Sequence, residues 1–277
     1  MNIALVTDST CDLPQHLVER YAIQVIPNHL IIEGESTLDD ESFSRQDFYE
    51  RLPGMESLPT TATASSGNYQ ERYESLLQQG FELILSIHAS SSLSGILNAA
   101  SLAAQAYPKR VRVIDSRQVS MGLGFQVLAA AEALAIGMTV ESVLEKVESV
   151  RQRTRLIAMV DTLEFIRRSG RVSWARASLG ALFRIKPFLD VRDGQVERLG
   201  DVRTRKKGIE RLHELLESLG PLERLAVLHT AALVDAEDFL QQASPRLTSE
   251  PLIVNVTTVI GTHVGPNALG FAVVLQG

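Results

Sequence analysis

FELILSIHASSSLSGILNAASLAA, residues 81–104, indicates the fold class of this chain. Residues 81–87 are mostly apolar and predict a buried strand, whereas residues 96–104 predict a helix. The hydroxyl-rich segment 90–95 therefore lies at a strand-to-helix junction, where free backbone N–H groups and the helix dipole favour an anionic or strongly accepting ligand group. Because this segment contains no Lys or Arg, we expect one small acidic group rather than a triphosphate.

Predicted strands and helices alternate on both sides of this stretch. In the first half, the alternation is typical of a mainly parallel sheet flanked by helices. The second half contains further strands and helices, together with a hairpin over residues 187–198, and indicates a second α/β unit. We therefore predict an α/β fold with an N-terminal domain over residues 1–152 and a C-terminal domain over residues 153–277.

Composition excludes several classes of protein. Of the 277 residues, 45% are hydrophobic, which is enough for a substantial core. The 27 basic and 33 acidic residues give a net charge of −6, which argues against a nucleic-acid partner or general binding to anionic membranes. The single cysteine, Cys11, excludes an internal disulfide and a multi-cysteine zinc site.

The sequence also predicts where in the cell the protein is located. No apolar run approaches the ~20 residues of a membrane span, and the first residues lack the pattern of a signal peptide. We therefore expect a soluble, cytoplasmic protein without stable membrane insertion, and transient membrane contact stays open.

Familiar catalytic motifs are absent from the sequence. It has no Gly-Lys-Ser phosphate loop, no Gly-x-Ser-x-Gly elbow and no His-Glu-x-x-His pair, and its six histidines are scattered. We therefore assign no catalytic residue, no metal site and no cofactor to this chain.

Hydroxyl side chains are the strongest candidates for ligand contact. Thr61 lies in one polar loop, and Ser91 and Ser94 lie in the strand-to-helix junction described above. Loops that follow parallel strands meet at the carboxyl edge of the sheet, where ligands of this fold class bind. Ser and Thr are also typical of turns and helix caps, so both interpretations stay open at this point.

His263 and three arginines are further candidates. His263 lies in the glycine-rich loop 260–270 between two predicted strands, where its ring would either donate to a ligand or brace the turn. Arg171 belongs to one basic group, and Arg203 and Arg205 belong to another. Such groups are either solvated faces of the protein or contacts for a phosphate or a partner.

Short motifs along the chain together resemble the DegV family of bacterial lipid-binding proteins. They keep the family order from residue 7 to about residue 270, so the resemblance covers nearly the whole chain. Each motif alone is common, but the ordered set is specific. The motifs are Thr7-Asp8-Ser9-Thr10-Cys11-Asp12-Leu13-Pro14, Thr60-Thr61 with Ser65 and Gly67, Ser90-Ser91-Ser92-Leu93-Ser94-Gly95, Asp115-Ser116 with Ser120-Met121-Gly122-Leu123-Gly124, Leu163-Glu164-Phe165 with Gly170-Arg171-Val172-Ser173, Leu179-Gly180 with Ile185-Lys186-Pro187, and Gly261-Thr262-His263-Val264-Gly265-Pro266.

The resemblance implies a DegV-like fold of two α/β domains with a long-chain fatty acid buried between or beneath them. It also implies that hydroxyl groups hold the carboxyl of the fatty acid. Carried over by motif, these hydroxyls belong to Thr61 and Ser94, and less directly to Ser91. His263 and Arg171 are then expected close to the carboxyl end.

Some members of the family are the fatty-acid-binding subunit of bacterial fatty acid kinase. They present the fatty acid to a separate ATP-binding subunit, which phosphorylates it to acyl phosphate for phospholipid metabolism. In that case Arg171, Arg203 and Arg205 would face the phosphate or the partner, and catalysis would not be this chain's own. Two alternatives stay open, a stand-alone acyl hydrolase or transferase that uses Ser94 and His263, and a lipid carrier or regulator without a kinase partner.

The energetics of burial agree with such a ligand. Each buried methylene is worth about 0.8 kcal/mol, so a long acyl chain contributes on the order of 10 kcal/mol before ordering costs. The protein must then supply a narrow apolar tunnel and donors for the carboxyl group. Residues predicted to line the tunnel, which would otherwise be ordinary core, are Ile96, Leu97, Leu123, Phe125, Leu182, Phe183 and Ile185.

Overall fold

The computed structural model describes residues 1–176, 185–243 and 247–277, and within them the strands form three sheets. The strands are β1 (Ile3–Asp8), β2 (Gln24–Ile26), β3 (His29–Ile32), β4 (Glu35–Leu38), β5 (Thr60–Ala62), β6 (Leu83–His88), β7 (Val111–Asp115), β8 (Thr154–Met159), β9 (Lys186–Arg192), β10 (Gln195–Val202), β11 (Leu222–His229), β12 (Leu252–Asn255) and β13 (Leu269–Leu275).

Helices connect and cover these sheets. Short 3₁₀ turns also occur at Ser9–Cys11 and Leu52–Gly54. The helices are α1 (Gln15–Arg20), α2 (Arg45–Arg51), α3 (Ser66–Gln78), α4 (Ile96–Ala104), α5 (Met121–Ala135), α6 (Val140–Arg153), α7 (Leu163–Ser169), α8 (Ser173–Arg176), α9 (Arg205–Glu217), α10 (Leu233–Gln242) and α11 (Thr258–Val264).

The first sheet confirms the parallel architecture predicted for the N-terminal half. Its order is β2-β1-β6-β7, and every pairing in it is parallel. Strands β1 and β6 are buried along nearly their whole length, as expected for a sheet covered on both faces. Strand β6 leads through residues 89–95 into α4, so the hydroxyl-rich segment lies at the carboxyl edge of the sheet, as predicted.

A small antiparallel sheet, of order β4-β3-β5, lies beside the first one. This sheet contains Thr61, which we predicted in a polar loop. Thr61 is the central residue of β5 and pairs with Leu30 of β3. Polar side chains obscured this strand in the sequence, because pairing with β3 rather than an apolar pattern stabilises it.

The third sheet has the order β10-β9-β8-β13-β11-β12. Its pairings are antiparallel, with the exception of the parallel pair β11–β12. Strands β9 and β10 form the predicted hairpin, and both turn residues, Asp193 and Gly194, have positive φ angles of 47° and 80°. Positive φ at both positions is the geometry of the tight turns that match strand twist.

Helix α5 lies in the core between the two large sheets. It is buried along almost its whole length, and its main apolar cluster also contains Val6 and Leu85 of the first sheet and Ala226 and Ala272 of the third. A helix that is apolar all round is expected only in such a position. The domain boundary at residues 152 and 153, at the end of α6, stays a prediction.

Candidate functional site

A cavity of about 170 Å³ lies where the carboxyl edge of the parallel sheet meets the third sheet. Aliphatic side chains form most of its wall, from the loop before α4, from α7 and α11, and from the β9–β10 hairpin. The polar residues of the lining are therefore few and can be named individually. They are Thr10, Asn28, Thr61, Thr63, Ser94, Ser169, Arg171 and His263.

The structure brings Thr61 and His263 into direct contact. The Oγ1 atom of Thr61 lies 2.9 Å from Nε2 of His263, although 202 residues separate them in the sequence. We expected His263 in a loop, and this was wrong, because it lies in the last turn of α11. Contacts at the start of α11 stabilise this short helix, since the backbone N–H of Thr257 donates to Asp12 Oδ1 at 2.7 Å.

His263 is electrically neutral at neutral pH. Burial lowers its pKa from 6.5 to about 4, and the positive charge of Arg171 lowers it further in the same direction. The second ring nitrogen, Nδ1, is buried without a hydrogen-bond partner among the described residues. A neutral ring offers one N–H donor and one acceptor, so the charge of a bound carboxylate must be balanced elsewhere.

Arg171 supplies a positive charge at the cavity. It lies just after α7, is exposed, and lines the cavity while its Nη1 donates to the carbonyl of Ser169 at 2.7 Å. A guanidinium carries further N–H groups in a planar fork that matches a carboxylate or a phosphate.

The predicted serines occupy different positions. Ser94 lines the cavity, and its Oγ accepts from the backbone N–H of Ile96 at 3.3 Å at the start of α4. Its roles as helix-end residue and as cavity residue therefore coexist. Ser91 is exposed, lies outside the described lining, and donates to Asp115 Oδ2 at 2.6 Å. The contact of His263 is to Thr61, which does not favour a Ser94–His263 nucleophile pair.

Two predicted partner-facing arginines lie away from the described lining of the cavity. Arg203 is exposed between β10 and α9. Arg205 is half-buried, its Nε donates to Asp235 Oδ2 at 2.5 Å and its Nη1 donates to the carbonyl of Asn267 at 2.7 Å. Arg205 is therefore already engaged in holding α9 to α10, whereas Arg203 presents its charge to solvent.

Of the residues predicted to line the tunnel, some lie in the cavity wall and others do not. Ile96 lines the cavity. Leu123 and Phe125 are buried in the main core on α5, and Leu97 and Ile185 are also outside the described lining. The remaining two lie outside the described residues: Leu182 and Phe183.

Sequence reasoning missed Thr10 and Asn28 as cavity residues. Thr10 follows β1 and Asn28 follows β2, so both come from the carboxyl edge of the parallel sheet. Their position at strand ends was the available signal, since polar residues there are candidates in this fold class. Both contact Asp8, which is fully buried.

The described part of the chain contains neither a group of metal ligands nor a membrane-spanning helix. Within residues 1–176, 185–243 and 247–277, no three His, Cys, Asp or Glu side chains are grouped as metal ligands. In the same ranges, no helix combines the length and apolar character needed to cross a membrane.

Stability is expected to fall between pH 6.5 and pH 4 because of His263 and His229. Burial lowers both pKa values to about 4, so the unfolded chain binds protons in this range that the folded chain does not, and unfolding becomes easier as the pH falls. Asp12 acts in the opposite direction, because burial raises its pKa from 3.8 to about 6 and the folded state keeps that proton. Urea unfolding midpoints across this range measure the effect.

Asp12→Asn provides the control for the direction in which stability changes with pH. It removes the one opposing contribution named above, so its midpoint should fall more steeply on acidification than that of the wild type. A midpoint that rises on acidification in the wild type would contradict the assignment.

Comparisons with known proteins agree with this architecture. The family model DegV, described as "Uncharacterised protein, DegV family", matches residues 2–276. A DegV domain-containing protein of Listeria monocytogenes is 34% identical over 275 residues, which cover 97% of this chain and 96% of that protein. A fatty-acid-binding DegV family protein from Thermus thermophilus is 33% identical with a TM-score of 0.89, and DegV, a fatty acid binding protein from Bacillus subtilis, is 32% identical with a TM-score of 0.86. Both structures match over 100% of either chain. The chain belongs to the DegV family.

Proposed function

We propose that this protein binds a long-chain fatty acid in the cavity described above. The observation that carries the proposal is a largely aliphatic wall that includes the side chains of Thr61, His263 and Arg171, the first two of which are in contact. We propose that these three residues meet one acidic group. Relatives that bind fatty acids share the fold over the full length of both chains. Together these support a monocarboxylic lipid rather than a polar metabolite.

The polar residues match the chemistry of a carboxylate. An unpaired carboxylate buried beside aliphatic groups is strongly unfavourable, so donors and a positive charge must meet it. The hydroxyls of Thr61 and Ser94 are the donors that we propose, and Arg171 is the charge, because His263 is neutral at neutral pH. His263 then orients the hydroxyl of Thr61 rather than forming an ion pair. Ser91 would act only indirectly, through the loop it shares with Ser94.

We further propose that the bound fatty acid is presented to a separate ATP-binding kinase subunit. The carboxylate would attack the terminal phosphorus of ATP on that subunit, giving an acyl phosphate and ADP for phospholipid metabolism. The exposed charges of Arg171 and Arg203 suit a phosphate or an acidic partner surface, with Arg205 supporting the same region. Since ATP is a cytoplasmic substrate, the proposal includes a cytoplasmic location.

Thr61→Val is expected to weaken fatty acid binding by about tenfold to a hundredfold, since a hydrogen bond to a charged group is worth about 1.5–3 kcal/mol. The replacement keeps the side-chain volume and removes only the hydroxyl. Native mass spectrometry of the purified protein measures the retained lipid, and a titration with the same fatty acid gives the dissociation constant.

Thr60→Val is the matched control, because Thr60 lies on the same strand, is exposed, and is outside the described cavity lining. Ser94→Ala tests the second hydroxyl in the same way. Equal lipid retention in Thr61→Val, Ser94→Ala and the wild type would contradict the carboxyl site.

The kinase step needs its own experiment. Lipid-loaded protein is mixed with ATP and a fatty acid kinase ATP-binding subunit, and acyl phosphate is trapped with hydroxylamine. Arg203→Ala should lower the rate without changing lipid retention. Acyl phosphate that never forms, with lipid retained, would leave a carrier or regulator without a kinase partner.

A further inference from the structure

Asp8 is a fully buried carboxylate at the end of β1, and it lies behind one wall of the cavity. It is not among the residues that line the cavity. Its two oxygens accept hydrogen bonds from residues that do line it, and these residues come from three different segments of the chain. This arrangement differs from that of the other polar groups at the site, which face the cavity themselves.

Three lining residues converge on Asp8. The backbone N–H and the hydroxyl of Thr10 donate to Oδ1 at 3.1 and 2.5 Å, and Nδ2 of Asn28 lies 3.4 Å from the same oxygen. The backbone N–H of Ala89 donates to Oδ2 at 3.2 Å. One side chain therefore connects the ends of β1, β2 and β6, and we call Thr10, Asn28 and Ala89 the Asp8 wall.

Residues behind Asp8 support this charge. Nδ1 of His88 lies 3.0 Å from Oδ2 and must donate, because a carboxylate only accepts. His88 Nε2 lies 2.7 Å from Ser86 Oγ, which lies 2.8 Å from the hydroxyl of Tyr73. Burial opposes ionisation of Asp8, but hydrogen bonding and charge from His88, together with the bonds from Thr10 and Ala89, lower its pKa overall.

Asp8 also directs donors of the wall away from the ligand. The hydroxyl hydrogen of Thr10 is used on Asp8, and the amide of Asn28 is shared between Asp8 and Ser9 Oγ, which lies 3.1 Å away. The carbonyl oxygen of the Asn28 side chain accepts from the backbone N–H of Ala64 at 3.4 Å. The polar groups of this wall are thus hydrogen-bonded within the protein, so the wall contacts a ligand mainly through its shape.

We infer that Asp8 is a positioning residue that fixes the Asp8 wall and thereby determines which acyl chains the cavity accepts. This inference rests on the proposed function. Side chains held in one geometry give a cavity of fixed length and width, and fitted apolar pockets distinguish single methylenes. Both oxygens of Asp8 are in use, Oδ1 by Thr10 and Asn28 and Oδ2 by Ala89 and His88. A side chain with a single acceptor oxygen cannot hold both sets of donors, so the wall would lose its fixed geometry and adjust to different chains.

The test measures selectivity and not affinity alone. Dissociation constants for laurate, myristate, palmitate and stearate are determined with the wild type and with Asp8→Asn, which keeps the side-chain size. The wild type should favour one chain over its neighbours by about tenfold or more, and Asp8→Asn should reduce this ratio to about threefold or less. A merely destabilised protein loses affinity for all four chains in proportion, so the ratio stays unchanged.

Asp190→Asn is the matched control. Asp190 is equally buried, donors from Arg155 lie 2.6 and 3.4 Å from its oxygens, and it is not part of the described lining. It should keep the wild-type ratio. If Asp8→Asn fails to fold, Thr10→Val replaces it, because valine keeps the volume and lacks the hydroxyl that donates to Asp8.

Each remaining outcome has a definite meaning. An unchanged ratio in folded Asp8→Asn, or an equal change in Asp190→Asn, would overturn the inference and leave the proposed function intact. Equal affinity of the wild type for all four chains would also overturn the inference and leave the proposed function intact. A wild type that binds none of the four chains would contradict both the inference and the proposed function.

Discussion

Val196→Trp is expected to abolish the retention of long acyl chains. Val196 lies on β10, is half-buried, and lines the cavity, so a bulky indole at this position occupies space that the acyl chain requires. Excluding about six methylenes at about 0.8 kcal/mol each costs about 5 kcal/mol, which lowers the affinity by more than about a thousandfold. The measurement is a titration with a long-chain fatty acid, supported by native mass spectrometry of the purified variant.

The control introduces the same tryptophan at a position outside the cavity lining. Leu199 lies on the same strand, is 39% exposed, and is outside the described lining, so Leu199→Trp should bind as the wild type does. Thr61 and His263 are untouched in both variants, which separates exclusion of the chain from loss of the carboxyl site. A Val196→Trp protein that retains its lipid would show that the acyl chain lies elsewhere.

Gly270→Ala is expected to destabilise the folded protein by about 3 kcal/mol. Gly270 is in β13, in the middle of the third sheet, where it pairs with Ala158 of β8. A Cβ atom there would lie 2.4 Å from the carbonyl oxygen of Ile157 and 2.6 Å from the Cα of Ala158. Both are backbone atoms of a central strand, so neither can move aside without opening the sheet.

Thermal and urea unfolding measure this effect. A loss of this size lowers the melting temperature by on the order of 10 °C in a protein of this length. Gly54→Ala is the control, because Gly54 has an ordinary φ angle and a Cβ there meets nothing within 4 Å. Equal melting temperatures for Gly270→Ala and the wild type would contradict the close approach of β8 and β13.

The elements predicted best are those with a strong local pattern. The buried strand β6 and the start of α4 follow from a short apolar run, a hydroxyl-rich turn and an apolar helix, and this was enough to indicate a parallel sheet. Position at its carboxyl edge then made Ser94 a candidate for ligand contact, and Ser94 lines the cavity. Local patterns did not reveal α11, because contacts of Thr257 and Thr258 with distant acidic residues stabilise this short helix.

The composition of the cavity was harder to predict than its existence. Hydrophobicity makes a residue of the core and a residue of a ligand wall look the same, so Leu123 and Phe125 could not be distinguished from Ile96. The contact of Thr61 with His263 depends on tertiary contacts between β5 and α11. The resemblance to the family implied that both residues lie near the carboxyl end, but it did not predict their contact. An influence of Asp8 on the cavity could not be predicted from the sequence, because Asp8 contacts lining residues without lining the cavity itself.

The burial of α5 also has a consequence during biosynthesis. The helix contacts β1 and β6, which precede it in the chain, and β8, β11 and β13, which follow it. A nascent chain that has reached the end of α6 therefore holds an apolar helix whose second cover has not yet been translated. Until β13 emerges, that surface is open to water, to other nascent chains and to chaperones.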